Sequence, residues 1–199
     1  VKDFVMITTE NSKPRGRPRR FDAVEALAAA QKLFHAKGYD AVSVSDLTKT
    51  LGINPPSFYA AFGSKAALYS CVLDRYAVSG AIPLQEILRV DRPVGESLAA
   101  LLVAAAHAYA NPEGSGCMVL EGTRSNEGGA REAACVFHVA AQDAIRRFIA
   151  VRPPDEADRL ADFVSTTMAG LSASARHGHS LERLEATARL AGMALMQEV

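Results

Sequence analysis

The hydrophobic positions of this chain recur at steps of three and four along most of its length. The tightest such unit lies in residues 42–68, VSVSDLTKTLGINPPSFYAAFGSKAAL. Val44, Leu47 and Leu51 fall on one face of a short helix. Ser43 is placed to cap it, with Asp46 three residues on returning a bond to the Ser43 amide. Gly52 suits the left-handed residue that ends such a helix, since it has no Cβ to clash at positive φ. Asn54 then caps a second helix that opens on Pro55, where a missing N–H costs nothing. This helix carries Ser57, Phe58 and Tyr59 and ends near Gly63, and Ser64 starts a longer one through Leu68, Val72 and Arg75 to Ser79.

The same pattern predicts the rest. Upstream, Asp22 and Glu25 cap a first helix whose predicted buried stripe is Ala23, Leu27, Ala30 and Phe34, and Gly38 ends it. Tyr39, Val42, Phe58 and Phe62 complete a small core. Downstream, residues 80–91 form a mixed connection broken at Pro83. Helical segments follow at 93–110, 113–124, 129–151, 155–177 and 181–197, with breaks at Pro93, Asn111-Pro112 and Pro153-Pro154. The first of them, with Leu98, Leu101, Leu102, Ala105 and Tyr109, is apolar on most sides and is expected to be central. Leu160, Phe163, Val164, Thr167 and Leu171 make a stripe on the next-to-last helix; Leu184, Ala188, Ala191 and Leu195 make one on the last. Either stripe could face its own subunit's core or a second subunit, and Ala169, Gly170 and Ala173 suit close helix approach. His177-Gly178-His179 reads as a helix end whose imidazoles suit the negative dipole terminus.

Two short helices joined by a glycine turn, with polar and aromatic groups leading the second, describe a DNA-reading helix-turn-helix. Ser43 and Ser45, near a helix N-terminus, can donate hydroxyl and amide hydrogens to phosphate. Asn54, Pro55 and Ser57 lead the second helix, where Asn can bond adenine and Pro can only pack on a thymine methyl. The same residues also serve as plain caps and surface. Residues 13–20, KPRGRPRR, hold five cations and no acid, kept extended by Pro14 and Pro18. Arg15, Arg17 and Arg19 suit a narrow A·T-rich minor groove, or phosphates without sequence preference.

The segments GRPRRFD and KLFHAKGYDAVSVSDLTKTLGINPPSFYAAFGSKAALY resemble the N-terminal domain of TetR/AcrR-type transcriptional regulators. The resemblance covers residues 15–75, where FxxKGY, the capped helix, LGI, SFYAAF and a Lys65-led helix recur in order. Ala66 departs from it, since the family commonly has Glu there. The resemblance implies that Tyr59 and Lys65 clamp the DNA backbone and that the tilt of the helix after Ser64 sets the spacing of two heads. It also implies a homodimer joined through the last two helices.

Charge supports that division. Residues 1–75 carry 11 Lys/Arg against 7 Asp/Glu, and residues 76–199 carry 11 against 15, a basic head on an acidic body. The longest apolar run, 98–106, is too short to cross a bilayer, and residues 1–10 lack the apolar core of a signal peptide. Three widely spaced cysteines argue against a disulfide framework, so the cytoplasm is the expected compartment. Cys71 is expected to pack as a small apolar group.

Residues that interrupt the apolar body helices are candidates for an effector pocket: His107, Tyr109, Cys117, Met118, Phe137, His138, Gln142 and Phe163. Cys117 follows a Gly-rich turn at a predicted helix start, a position that favours a reactive thiol. With His107 or His138 it could instead hold a soft metal, although no CxxC or HxxxH spacing supports one, and no metal site is expected. GxGxxG, P-loop, GxSxG and HExxH motifs are absent, and a Cys117/His138 nucleophile pair lacks an orienting third group, so no enzyme is expected. An architectural DNA binder would need a body without a cavity. The expectation is an all-α chain: a flexible basic arm at 1–20, a three-helix helix-turn-helix domain at 21–66 and a larger helical effector-binding and dimerisation domain at 67–199. Its expected function is a dimeric repressor on a pseudo-palindromic duplex operator, released by a small molecule and needing no cofactor. The alternative is a thiol or metal response through Cys117.

Overall fold

A computed structural model describes residues 22–112 and 114–198, and Arg15, Arg17 and Arg19 lie outside them. Among the described residues every regular element is helical, as the three-and-four spacing requires. The head comprises α1 (Ala23–Lys37), α2 (Val44–Leu51) and α3 (Pro55–Phe62), and α4 (Lys65–Ser79) leaves it. The caps form as the sequence implies. Asp22 accepts from the amides of Val24 and Glu25, Ser43 and Asp46 close a reciprocal capping box, and Asn54 accepts from Ser57 N–H. Gly52 takes the left-handed conformation, φ 66° and ψ 30°, that turns α2 into α3.

The body holds α5 (Leu84–Ile87), α6 (Val94–Tyr109), α7 (Met118–Gly122), α8 (Gly128–Ala150), α9 (Ala157–Arg176) and α10 (Leu181–Glu198). Two elements differ from expectation. The helix expected at 113–124 is only the five residues of α7, because Gly114 and Gly116 hold the preceding loop, with Gly116 at φ 78°. The connection at 80–91 contains the single turn α5 after Pro83.

The core has two parts. In the body, α6 is central as expected: Leu98, Leu101, Leu102 and Ala105 are fully buried against α9 and α10. The second part begins in the head with Ala30, Phe34, Val42, Leu47 and Phe58, and it runs without a break through Leu68, Val72 and Leu73 of α4 to Met118, Ala130 and Ala134 of the body. Phe34, Tyr39 and Tyr69 form its aromatic centre, with ring centroids 4.9–5.8 Å apart. Ala26 rather than the exposed Ala23 completes the α1 stripe, and Cys71 faces solvent rather than packing inside.

The stripes on α9 and α10 are resolved in favour of the subunit's own interior. Leu160, Val164, Leu171, Leu184, Ala188 and Leu195 are buried in the body core, Ala191 packs against its edge, and Phe163 is exposed. The close helix approach is also elsewhere than at Gly170, where an added Cβ would meet open space. α10 lies along α6 at Gly192, whose Cβ would sit 2.8 Å from Ala99 Cβ, and at Gly95, whose Cβ would sit 3.0 Å from Leu195 O. Gly192→Val is therefore expected to destabilise the fold by about 1–3 kcal/mol through overpacking, read from chemical denaturation, while Gly170→Ala in open space should not destabilise it.

Candidate nucleic-acid interface and cavity

The outer face of the head is built by α2 and α3. Pro55, Pro56, Ser57, Tyr59, Ala60 and Ala61 are exposed on α3 while Phe58 is fully buried beneath them, which fixes the helix with its polar and small residues outward. Tyr59 is half exposed, its ring edge-on to Phe58 at 5.4 Å between centroids. Ser43 and Ser45 are exposed at the start of α2. Together these residues make an exposed surface with helix N-termini, hydroxyls and an aromatic edge, groups of the kind that meet a duplex.

Three candidates on this face have prior partners. Ser43 N–H and Oγ both donate to Asp46 Oδ2, at 2.9 and 2.6 Å, so the hydrogens expected to meet phosphate already serve the capping box. Asn54 Oδ1 accepts from Ser57 N–H at 2.8 Å, so the acceptor a bidentate adenine contact needs already serves the helix cap. Lys65 Nζ donates to the carbonyls of Tyr39 and Val42 at 3.0 and 2.8 Å and lies 3.9 Å over the Tyr39 ring. Burial lowers its pKa, opposed by Asp40 and Glu127. Its ammonium ties the α1–α2 turn to the start of α4.

At the other end of α4, Tyr76 borders a cavity of about 550 Å³ lined by α4, α5, α6, α7, α8 and α9. Five of the eight candidates line it: Tyr109, Cys117, Phe137, His138 and Gln142. The others do not. His107 is exposed and lies 3.7 Å from Glu185, Met118 is buried in the head-side core, and Phe163 points outward. The pattern of polar interruptions could not find Tyr76, Ile82, Leu84, Ser165 and Met168, which come from elements read as linker or core stripe. Ser165 Oγ is buried without a hydrogen-bond partner among the described residues. Burial keeps His138 below its ordinary pKa, so the imidazole is neutral, and burial raises the pKa of Tyr76 and Tyr109, so both stay hydroxyl donors. Tyr76 OH lies 3.9 Å from Cys117 Sγ, and Tyr109 bonds the same sulfur. The lining is largely apolar with a few convergent donors. Among the described residues no group of three His, Cys, Asp or Glu side chains is arranged to hold a metal ion.

The helix-turn-helix has known relatives along the whole chain. Residues 26–71 match the family described as bacterial regulatory proteins, tetR family. The HTH-type transcriptional repressor BdcR of Escherichia coli (strain K12) is 54% identical over 191 residues, covering 96% of this chain and 97% of that protein. The chain belongs to the TetR family. The HTH-type transcriptional repressor ComR of the same organism is 32% identical over 86% of this chain and 88% of its own length. Among solved structures, a cysteine mutant of the TetR family regulator CifR, complexed with 26-bp double-strand operator DNA, matches with a TM-score of 0.81 at 29% identity. That match covers 89% of this chain and 99% of the CifR chain. This TetR-family chain is a DNA-binding transcriptional regulator with an all-helical fold. Among its described residues, no helix is long and apolar enough to cross a membrane.

Head and body meet at a titratable group. His35 Nε2 donates to Gly116 O at 2.9 Å and Arg176 donates to His35 O at 3.1 Å. Burial holds the His35 pKa below 6.5, aided by Arg176 and opposed by the Gly116 bond. The unfolded chain therefore takes up this proton at higher pH than the folded one, and stability falls as pH drops through 6.5. Denaturation midpoints between about pH 8 and pH 5 should decline for the wild type, and less steeply for His35→Gln. His138, also held low, leaves a residual slope.

Proposed function

We propose that this chain is a homodimeric, effector-released repressor, with residues 21–66 reading DNA and residues 67–199 sensing and pairing. One observation carries the reading: a single helix, α4, begins behind the exposed face of α3 and, in its last turn, places Tyr76 on the wall of the cavity. At 15 residues it spans about 22 Å, so a ligand at one end can tilt the head at the other. The exposed side chains Phe163 on α9 and Leu190 and Met193 on α10 supply an apolar outer face for a second copy. Two heads of such a dimer enter successive major grooves about 34 Å apart on a pseudo-palindromic operator. The chain's work is then on the chromosome, in the cytoplasm. An effector must bind the misfitting state more tightly, by roughly 5.5 kcal/mol to move a 1:99 population to 99:1. Arg15, Arg17 and Arg19, which precede the described residues, add minor-groove or phosphate contacts that steepen the salt dependence.

Selecting bound fragments from a random-sequence duplex pool tests this directly. The expected product is a two-fold symmetric site. Tyr59→Phe should weaken all duplexes alike, whereas Ser57→Ala should relax preference at one or two base pairs by about 1–3 kcal/mol. Asn54→Ser keeps a cap acceptor while removing the amide. Unchanged base preference in that variant assigns Asn54 to capping alone.

A second reading is favoured by the position of Cys117 on the cavity wall beside two tyrosine hydroxyls. Here the effector is a thiol-reactive compound that bonds Sγ. A maleimide should then release the wild-type protein from its operator and leave Cys117→Ser bound. Release of both proteins alike assigns the effect to Cys71 or Cys135 and sinks the covalent reading.

A further inference from the structure

The turn after α1 is fastened to the loop before α8 by hydrogen bonds from both sides. Asp40 Oδ1 accepts from Ser125 Oγ at 2.7 Å, and its Oδ2 accepts from the Asn126 amide and Nδ2 at 2.9 and 3.0 Å. The neighbouring Tyr39 hydroxyl donates to Glu127 Oε2 at 2.9 Å. Glu127 is also the N-cap of α8, accepting from Gly129 and Ala130 N–H at 3.2 and 3.0 Å. The arrangement is reciprocal: a head carboxylate enters the body loop and a body carboxylate receives a head hydroxyl. From the opposite side, Lys65 Nζ grips the carbonyls of Tyr39 and Val42, so the turn is also tied to the residues that follow α3.

We propose that Tyr39 and Asp40 are positioning residues for DNA recognition: through Ser125, Asn126 and Glu127 they set the angle at which α2 and α3 leave the body, and α8 passes the state of the cavity to them. Phe137 on the cavity wall lies ten residues beyond Glu127, about 15 Å along α8. This gives the cavity a route to the reading helices that is separate from α4. Asp40 and Asn126 are exposed, and exposed hydrogen bonds add little to stability, so what they fix is direction. The inference rests on the reading of the chain as a dimeric operator-binding regulator.

The test uses the full chain and the duplex selected by the wild type. Affinity is measured for that duplex, for versions with one base pair added or removed between the half-sites, and for a single half-site. The wild type should discriminate against wrong spacing by about tenfold or more. Tyr39→Phe/Asp40→Ala should lose about tenfold on the selected duplex, keep its half-site affinity within about twofold and bring the spacing penalty below about threefold. Asn126→Ala, on the body side and exposed, should move all three quantities in the same direction, and it carries the test if the double variant folds poorly. Operator binding should also slow hydrogen exchange at the amides of Asn126, Gly129 and Ala130 in the wild type and not in the double variant. Spacing discrimination equal to wild type in the variants overturns the inference, as does half-site binding that falls as far as operator binding. A wild type that binds no duplex removes the functional reading beneath it as well; wild-type binding with matching variants removes this inference alone.

Discussion

The head of this protein does not own its core. Phe34, Tyr39, Val42, Leu47 and Phe58 are buried, but they are buried together with Leu68, Tyr69, Val72 and Leu73 of α4 and with Met118, Ala130 and Ala134 of the body. Three short helices of 15, 8 and 8 residues cannot by themselves remove enough apolar surface from water to offset the entropy of ordering them. The reading unit is stable because it shares an aromatic centre with the body. That constraint makes mechanical independence impossible: a change in α4, α7 or α8 must either carry the head with it or open a cavity in the shared core. For a regulator whose DNA affinity must follow a distant site, such a shared core is a useful constraint.

Much of the head was legible in the sequence because its signals are local. A capping box at Ser43 and Asp46, a left-handed glycine at 52 and an Asn-Pro start at 54 each act over four residues, and each forms as read. The body was legible as helices but not as surfaces. A stripe such as Leu160, Val164, Leu171 tells only that a helix has an apolar side; whether α6 or a second subunit covers it depends on residues some sixty positions away. The cavity is harder still, since it is a property of six helices at once. Tyr76 reads as an ordinary core residue of α4, and Ser165 as a polar break on α9, until the fold brings both to one wall.

Lys65 illustrates that a residue type alone does not fix a role. Its position, first in α4 after the α3 turn, suits a phosphate contact, and sequence cannot distinguish that from the arrangement present. The two carbonyls come from residues 23 and 26 positions upstream, and an ammonium offered two acceptors and a tyrosine face loses much of the benefit of moving to a screened phosphate. The same side chain still serves recognition if its effect is to hold the turn against α4.

The contacts between head and body fall into two energetic classes, and the difference bears on how such a molecule switches. Removing Tyr69, Phe34 or Met118 from their buried contacts means exposing large apolar side chains at roughly 1.5–3 kcal/mol each, more together than an ordinary effector can supply by differential binding. The bonds of Asp40, Tyr39 and His35 to Ser125, Asn126, Glu127 and Gly116 are each a small net contribution, since water competes for the same groups, and so lie within an effector's reach. On the proposed effector-released reading, a switch would keep the shared core packed and redraw the polar bonds around it. The head would then pivot on its aromatic centre instead of detaching. Motion of that kind changes the distance between two heads while leaving each reading face intact, which is what release from a two-part operator requires.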